Sequence, residues 1–297
     1  MLNTPIKPML LQPSPTVITK DGWKHALKYD GMRVLLHYDN GTCRAFTRHG
    51  NEITSSFYPE LKKIDLPIKN GIFDSEAIIL DPTTSPPKPI WDDVMVRFHT
   101  KKERAIASLS QSLPTHFVCW DTLWINDQSL IHEDFNIRRQ ALEKYVSPTD
   151  VMSVAPLYED GAALFARAKE LGLEGICSYN TNSGPKSHYY LDSRPSDVWV
   201  KTKAYQYVTC QISSIRKSKF GWGLSINGKY VGVLEFPPTA AITKDFYMQA
   251  RHLKRRENKD WYFIDPLISC TIKFQCFTRD GKLRSPKIES LSFDCVG

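Results

Sequence analysis

Apolar positions along the chain follow two spacings. Short runs bounded by Gly, Pro, Asn or Asp read as strands: residues 23–27, 34–38, 71–80, 117–125, 208–215, 221–226, 229–236 and 269–277, with another near the C-terminus. Two pairs of runs flank turn dipeptides, Asn40-Gly41 after Asp39 and Asn227-Gly228, and predict tight hairpins. Residue 42 opens the return strand of the first hairpin, which runs to 48. Helical spacing appears over 91–109, 133–145, 159–171 and 243–256, the third stopping at Gly172. A proline-punctuated lead-in precedes residue 23, with Pro5, Pro8, Pro13 and Pro15. After Lys203-Ala204-Tyr205 the pattern becomes a run of short strands with one helix. That shift sets a predicted boundary between residues 1–204 and 205–297.

Charge sharpens this division. The chain of 297 residues carries a net charge of +7, and its two parts share it unequally. Residues 1–204 hold 24 Lys/Arg and 24 Asp/Glu, whereas residues 205–297 hold 15 against 8. A basic C-terminal third is the footprint expected of a polyanion partner, because neutralising phosphates releases counterions. The seven cysteines are dispersed with no Cys-x-x-Cys pair, which argues against a disulfide framework or a structural zinc site. No apolar run approaches the roughly 20 residues of a membrane span, and the first residues lack the layout of a secretory signal. The expectation is an intracellular, cytoplasmic protein with no membrane partner.

Three places carry candidate chemistry. Lys28 sits where a strand ends, before the turn at Asp30-Gly31 and the strand that begins near Arg33. An amine there is nucleophilic only when neutral, and a free lysine titrates at roughly 10.4, so burial or neighbouring cations must lower it. Lys201 and Lys203 are two apart in a strand and share a face, an arrangement suited to an anion between them and expected to help keep Lys28 deprotonated. Glu76 is a carboxylate inside an otherwise apolar strand and needs a partner. Solvated strand rims would use the same residue types, so these features gain weight from their order along the chain.

That order carries a resemblance. Lys28-Tyr29-Asp30-Gly31-Met32-Arg33 resembles the Lys-x-Asp-Gly-x-Arg signature of the covalent nucleotidyltransferases: ATP-dependent DNA ligases, RNA ligases and mRNA capping enzymes. Thr47-Arg48-His49-Gly50 is similar to the next element, Asp74-Ser75-Glu76 to Asp-Gly-Glu, Trp120-Asp121 to the aromatic-Asp strand and Glu174-Gly175 to Glu-Gly. Residues 189–203, with Arg194 through Trp199-Val200-Lys201-Thr202-Lys203, resemble the Tyr…Arg-Ser-x-x-Trp-x-Lys-x-Lys element. Asp280-Gly281-Lys282-Leu283-Arg284-Ser285-Pro286 is similar to the C-terminal barrel of bacterial ATP-dependent DNA ligases. Three departures stand out: Ser75 for glycine, Tyr179 for the lysine after Glu-Gly, and Ser292-Phe293-Asp294-Cys295 where Arg-x-Asp-Lys is expected.

The resemblance implies a compact ATP-dependent DNA ligase of α+β class. An antiparallel-sheet adenylylation domain (1–204) would precede a β-barrel of the oligonucleotide-binding (OB) type (205–297). It implies ATP as cofactor, with AMP carried on Lys28, and Mg²⁺ or another divalent cation held in part by Glu174. Arg33, Arg48 and Glu76 would hold sugar and phosphates, Trp120 the base, and Lys201 and Lys203 the α-phosphate. Nicked duplex DNA is the implied partner and a monomer the implied state. An RNA ligase or capping guanylyltransferase shares the lysine signature. The eroded last element and Tyr179 also leave room for a nick-binding protein impaired in self-adenylylation.

Overall fold

A computed structural model describes residues 1–293, which divide into two compact units, one ending at Ala204 and one beginning at Tyr205. In the first, a six-stranded sheet takes β3 (Met32–Asp39), β4 (Thr42–Thr47), β5 (Asn70–Ile78), β8 (His116–Ile125) and β10 (Met152–Val154) in the order β10-β8-β5-β3-β4, with β9 (Gln128–Ser129) on β8. A four-stranded sheet runs β1-β12-β11-β2, from β1 (Gln12–Ser14), β12 (Trp199–Lys203), β11 (Gly175–Asn180) and β2 (Trp23–Leu27). The two-residue strands β6 (Leu80–Asp81) and β7 (Lys88–Pro89) pair with each other. Asn40 and Gly41 both adopt positive φ, 46° and 81°, as the β3–β4 hairpin requires.

Alternation along β3, β5 and β8 sorts side chains onto two faces. One face holds Val34, Leu36, Phe73, Ala77 and Phe117, packed with Phe57 and Leu61 of α1 (Thr54–Leu61) and Leu142 of α4 (Phe135–Tyr145). The other holds Leu35, Ile72, Val118 and Trp120, which form one core with Ala26, Cys177, Tyr179 and Trp199 of the four-stranded sheet. The two sheets therefore face each other. Beyond the smaller sheet, Leu164 and Ala168 of α5 (Gly161–Glu170) cover Ile176.

The sheets are mixed, which corrects the antiparallel expectation. β1 pairs β12 and β10 pairs β8 in parallel. Both added strands have only three residues and join an edge after a long excursion of chain, the circumstance that permits parallel pairing. The helix expected over 91–109 is two, α2 (Trp91–His99) and α3 (Glu103–Ser112), because the Thr100 hydroxyl donates back to the Val96 carbonyl and Thr100 itself is extended. Helix α1 lacks a side-chain cap and contains Pro59, so its sequence gives little sign of it; burial of Phe57 and Leu61 holds it. A short 3₁₀ turn, Pro185–Ser187, precedes Tyr189.

The second unit is built on β13 (Gln206–Arg216). Its first half pairs β18 (Ile268–Phe274), and its second half pairs β14 (Trp222–Ile226) and β17 (Trp261–Ile264), with a register shift between Ile212 and Ser214. β15 (Lys229–Leu234), β16 (Lys254–Glu257) and β19 (Lys287–Phe293) complete a seven-stranded sheet around Ile212, Trp222, Leu224, Phe246 and Ile272. Among the described residues the strand pairing does not close on itself, so the predicted barrel is an open sheet here. Helix α6 (Ala240–Ala250) begins at Thr239, whose hydroxyl accepts from the Ile242 amide, and stops before the basic run. The sequence predicts that helix to run on through 254–256. Four consecutive charged side chains offer it no apolar position, and they form the exposed edge strand β16 instead. The Asp280–Pro286 stretch buries Leu283, whose amide donates to the Val231 carbonyl at 2.7 Å. Of the expected last element, Asp294 and Cys295 lie outside the described residues. The described cysteines are free, five of them buried and Cys276 half-buried. No described helix is long and apolar enough to cross a membrane.

Candidate active site

The facing sheets bring together residues far apart in sequence. Lys28 follows β2, and its amide donates to the Gly175 carbonyl at 2.9 Å, which fixes the end of β2 against the start of β11. Gly175 is required there. Its φ is +135°, and a Cβ would stand 2.1 Å from the Thr202 carbonyl oxygen. Across β11, Cys177 pairs with Lys201 and Gly175 with Lys203, so the two lysines extend the row begun by Trp199. Gly31, in the turn after Lys28, passes so close to β5 that a Cβ would lie 2.2 Å from the Ala77 carbonyl oxygen.

Glu174 is the hub. Lys28 Nζ donates to its Oε2 at 2.5 Å, and Lys203 Nζ lies 2.9 Å from its Oε1. Burial alone would raise the Glu174 pKa, yet Lys28 and Lys203 pull it below the ordinary value. Burial likewise works to lower Lys28, but Glu174 and Glu76 outweigh it and the net shift is upward. This reverses the expectation of a neutral amine among cations. The ammonium is stabilised by the carboxylate that it shares with Lys203. Lys201 behaves as expected of a cation near others: burial, then Lys28 and Lys203, lower its pKa.

Glu76 has a different solution to burial. It accepts from the Gly31 amide at 3.2 Å, and its pKa is pushed up to about 8 by burial, moderated by Lys28 and raised again by Glu174. It is therefore protonated at neutral pH. Arg33, its partner across β3–β5, is held by a residue without an assigned role in the sequence reading: Nε and Nη2 donate to the Asp74 carboxylate at 2.9 and 2.6 Å. Tyr189 Oη donates to the same carboxylate at 2.7 Å and accepts from Arg33 Nη2 at 3.3 Å. The period-two spacing of Asp74 and Glu76 was a usable signal for Asp74; nothing in the sequence pairs Tyr189 with it.

Trp120 is the extra residue where β8 shifts register between Cys119 and Asp121. It is 9% exposed, packed in the inter-sheet core with the Arg33 guanidinium 5.4 Å from its ring centre. Tyr179 is buried too, stacked on Phe135 at 5.1 Å and edge-on to Trp199 at 5.3 Å, so it fills core space instead of adding a charge to the site. Arg48 lies apart from this contact network. It is exposed in the turn after β4, where Nε donates to His49 Nε2 at 3.0 Å.

A buried carboxylate is clamped between two ammonium groups beside a glutamic acid whose pKa is raised. Comparison with known proteins gives the chain a family. Residues 8–203 match the model of the ATP dependent DNA ligase domain. The chain belongs to the ATP-dependent DNA ligase family. A relative in the family is the SPbeta prophage-derived DNA ligase-like protein LigB of Bacillus subtilis, 30% identical over 287 residues that span 96% of this chain and 98% of that one. The fold is shared with mycobacterial DNA ligase D complexed with ATP and MES, at TM-score 0.57 and 20% identity, over 97% of this chain and 95% of that one. It is shared also with a Lig E DNA ligase, at TM-score 0.65 and 14% identity, over 96% and 99%. These matches are to DNA ligases and do not favour the RNA-ligase, capping or binding-only alternatives.

Proposed function

We propose that this ATP-dependent DNA ligase seals nicks in duplex DNA through a lysyl-AMP intermediate on Lys28. The observation that carries the assignment is the shared hold of Lys28 and Lys203 on Glu174 where β2, β11 and β12 meet at one end of the four-stranded sheet. Lys28 Nζ first gives up to water the proton that its contact with Glu174 stabilises. It then attacks the α-phosphorus of ATP; the new N–P bond replaces the P–O bond to pyrophosphate, which leaves. The AMP passes to the 5′-phosphate at the nick, and the 3′-hydroxyl displaces it. Lys201 and Lys203 offset charge on the α-phosphoryl oxygens. Glu76, still protonated, offers a hydrogen bond to the ribose, and Arg33 stiffens the wall behind it through Asp74 and Tyr189. Trp120 would meet the base from its bulge, and Arg48 would reach the nucleotide from its hairpin turn.

Glu174, held ionised beside Lys28 and Lys203, supplies one carboxylate for a divalent cation, and no cluster of three or more His, Cys, Asp or Glu side chains stands there among the described residues. Mg²⁺ would rest against Glu174, with water and phosphate oxygens for the rest of its shell, and would neutralise phosphate charge. Residues 1–204 form the adenylylation domain in this reading. Residues 205–297 form an OB-type module whose basic surface grips the duplex backbone without reading sequence. The protein works as a cytoplasmic monomer. Intact-mass and peptide mass spectrometry after incubation with ATP and Mg²⁺ tests the assignment: AMP is expected on Lys28, and none on Lys28→Ala. Sealing of a nicked duplex by Lys28→Ala with ATP would refute it.

A further inference from the structure

The second unit carries a feature that gripping a duplex does not require. Its edge strand β16 is basic and exposed, and its neighbour β17 carries half-exposed aromatic rings on both faces, Trp261 and Phe263 on one and Tyr262 on the other. Every ring is covered by a cation. Lys217 and Lys254 Nζ lie 4.6 and 4.3 Å from the Tyr262 centroid, the Arg216 guanidinium 5.1 Å from Trp261, and that of Arg256 4.5 Å from Phe263. Tyr262 also lines a cleft of about 450 Å³ between this ribbon and α6, floored by Ile215, Ala250 and Ile264 and edged by Lys217, Arg251 and Lys254. Glu257 holds the two lysines together, 3.2 Å from Lys217 and 2.9 Å from Lys254.

A duplex backbone asks only for cations, because paired bases expose no ring faces. Half-exposed rings beside a basic track are suited to unpaired nucleotides, whose bases stack on the rings while the phosphates take the cations. The cleft is also within the size range of small-molecule sites. We infer that this ribbon and cleft bind a single-stranded DNA segment, such as an unpaired tail beside the end being joined. Here the lysines above Tyr262 swing from the ring to the phosphates as a base takes their place.

Fluorescence anisotropy without ATP tests this on the full chain, using a labelled oligo-dT of about twelve nucleotides and, separately, a nicked duplex with blunt ends. Tyr262→Ala is expected to weaken oligo-dT binding about tenfold, and Tyr262→Phe to restore it. The Lys217→Gln/Lys254→Gln double variant, which leaves the ring in place, is expected to weaken it comparably. Duplex binding is expected to stay within about twofold in all three. Equal losses on both DNAs would make the ribbon a duplex-backbone surface and overturn the inference. So would failure of the wild-type chain to bind oligo-dT, unchanged binding in the variants, or displacement of oligo-dT by free AMP at the same base concentration. Because ATP is absent, failure here is separate from failure of the lysyl-AMP chemistry. Circular dichroism and thermal melts of the full chain serve as the check that each variant is folded.

Discussion

Residues 1–204 balance their charges and turn many of them inward, whereas residues 205–297 carry the whole excess of +7 and hold it at the surface. In the first unit the partners of buried cations are carboxylates: Arg138 on Asp121, Arg97 on Glu60, Arg33 on Asp74, and Lys28 with Lys203 on Glu174. In the second, Arg216, Lys217, Lys254, Arg256, Lys273 and Lys282 lie over half-exposed aromatic rings at the surface, and the carboxylates that four of them also meet, Glu235, Glu257 and Glu289, are exposed. A buried pair is costly to break, because the remaining charge is stranded away from water. A cation on a half-exposed ring gains only about 0.5–1 kcal/mol and remains available to a phosphate. The first arrangement fixes geometry; the second leaves charge ready for a ligand.

Salt separates the two most strongly. Raising it from about 50 to about 200 mM should weaken binding of nicked duplex on the order of 10³-fold, as released counterions dictate. AMP transfer to Lys28, driven by short-range contacts, should change no more than about twofold across that range. Equal sensitivity would erase the distinction. Next in size, Glu174→Gln removes the carboxylate that positions Lys28 against Lys203, and lysyl-AMP formation should fall about 10²-fold or more in single-turnover assays. Asp121→Ala strands Arg138 and should cost about 3–5 kcal/mol in denaturant unfolding, whereas Asp121→Leu with Arg138→Met should recover most of it.

The last test concerns Glu76. Its pKa is about 8 in the folded protein against a model-peptide value of 4.5, so the folded state keeps a proton that the unfolded chain has lost. The stability this brings is complete below about 4.5 and is lost as pH rises toward about 8, with a slope of at most about 1.4 kcal/mol per pH unit. Glu76→Gln should flatten that decline in thermal melts at pH values from about 5 to 8. A decline of equal steepness in the variant would assign the effect to other groups.

Much of this was legible in the chain because local rules govern it. Asn40-Gly41 and Asn227-Gly228 impose backbone angles that only hairpins satisfy. The spacing of Lys201 and Lys203 sets their shared face before any fold is known. What stayed hidden depends on tertiary neighbours. The Lys28–Glu174 contact spans 146 residues, and it inverts the charge state inferred from the nearby lysines alone. The Trp120 bulge is a property of two strands together. The change from α6 to β16 is set by the aromatic strand that β16 pairs with, where the sequence shows only an uninterrupted polar run.

Gly175 shows how far the site depends on atoms that touch no nucleotide. It has no side chain to offer, yet the ends of three strands converge on it, and any larger residue would wedge β11 away from β12. The spacing of the two amines is thus set by a hydrogen atom where other residues carry a carbon. A survey of this enzyme that scored positions only by contact with the reacting groups would pass over the residue that decides where those groups stand.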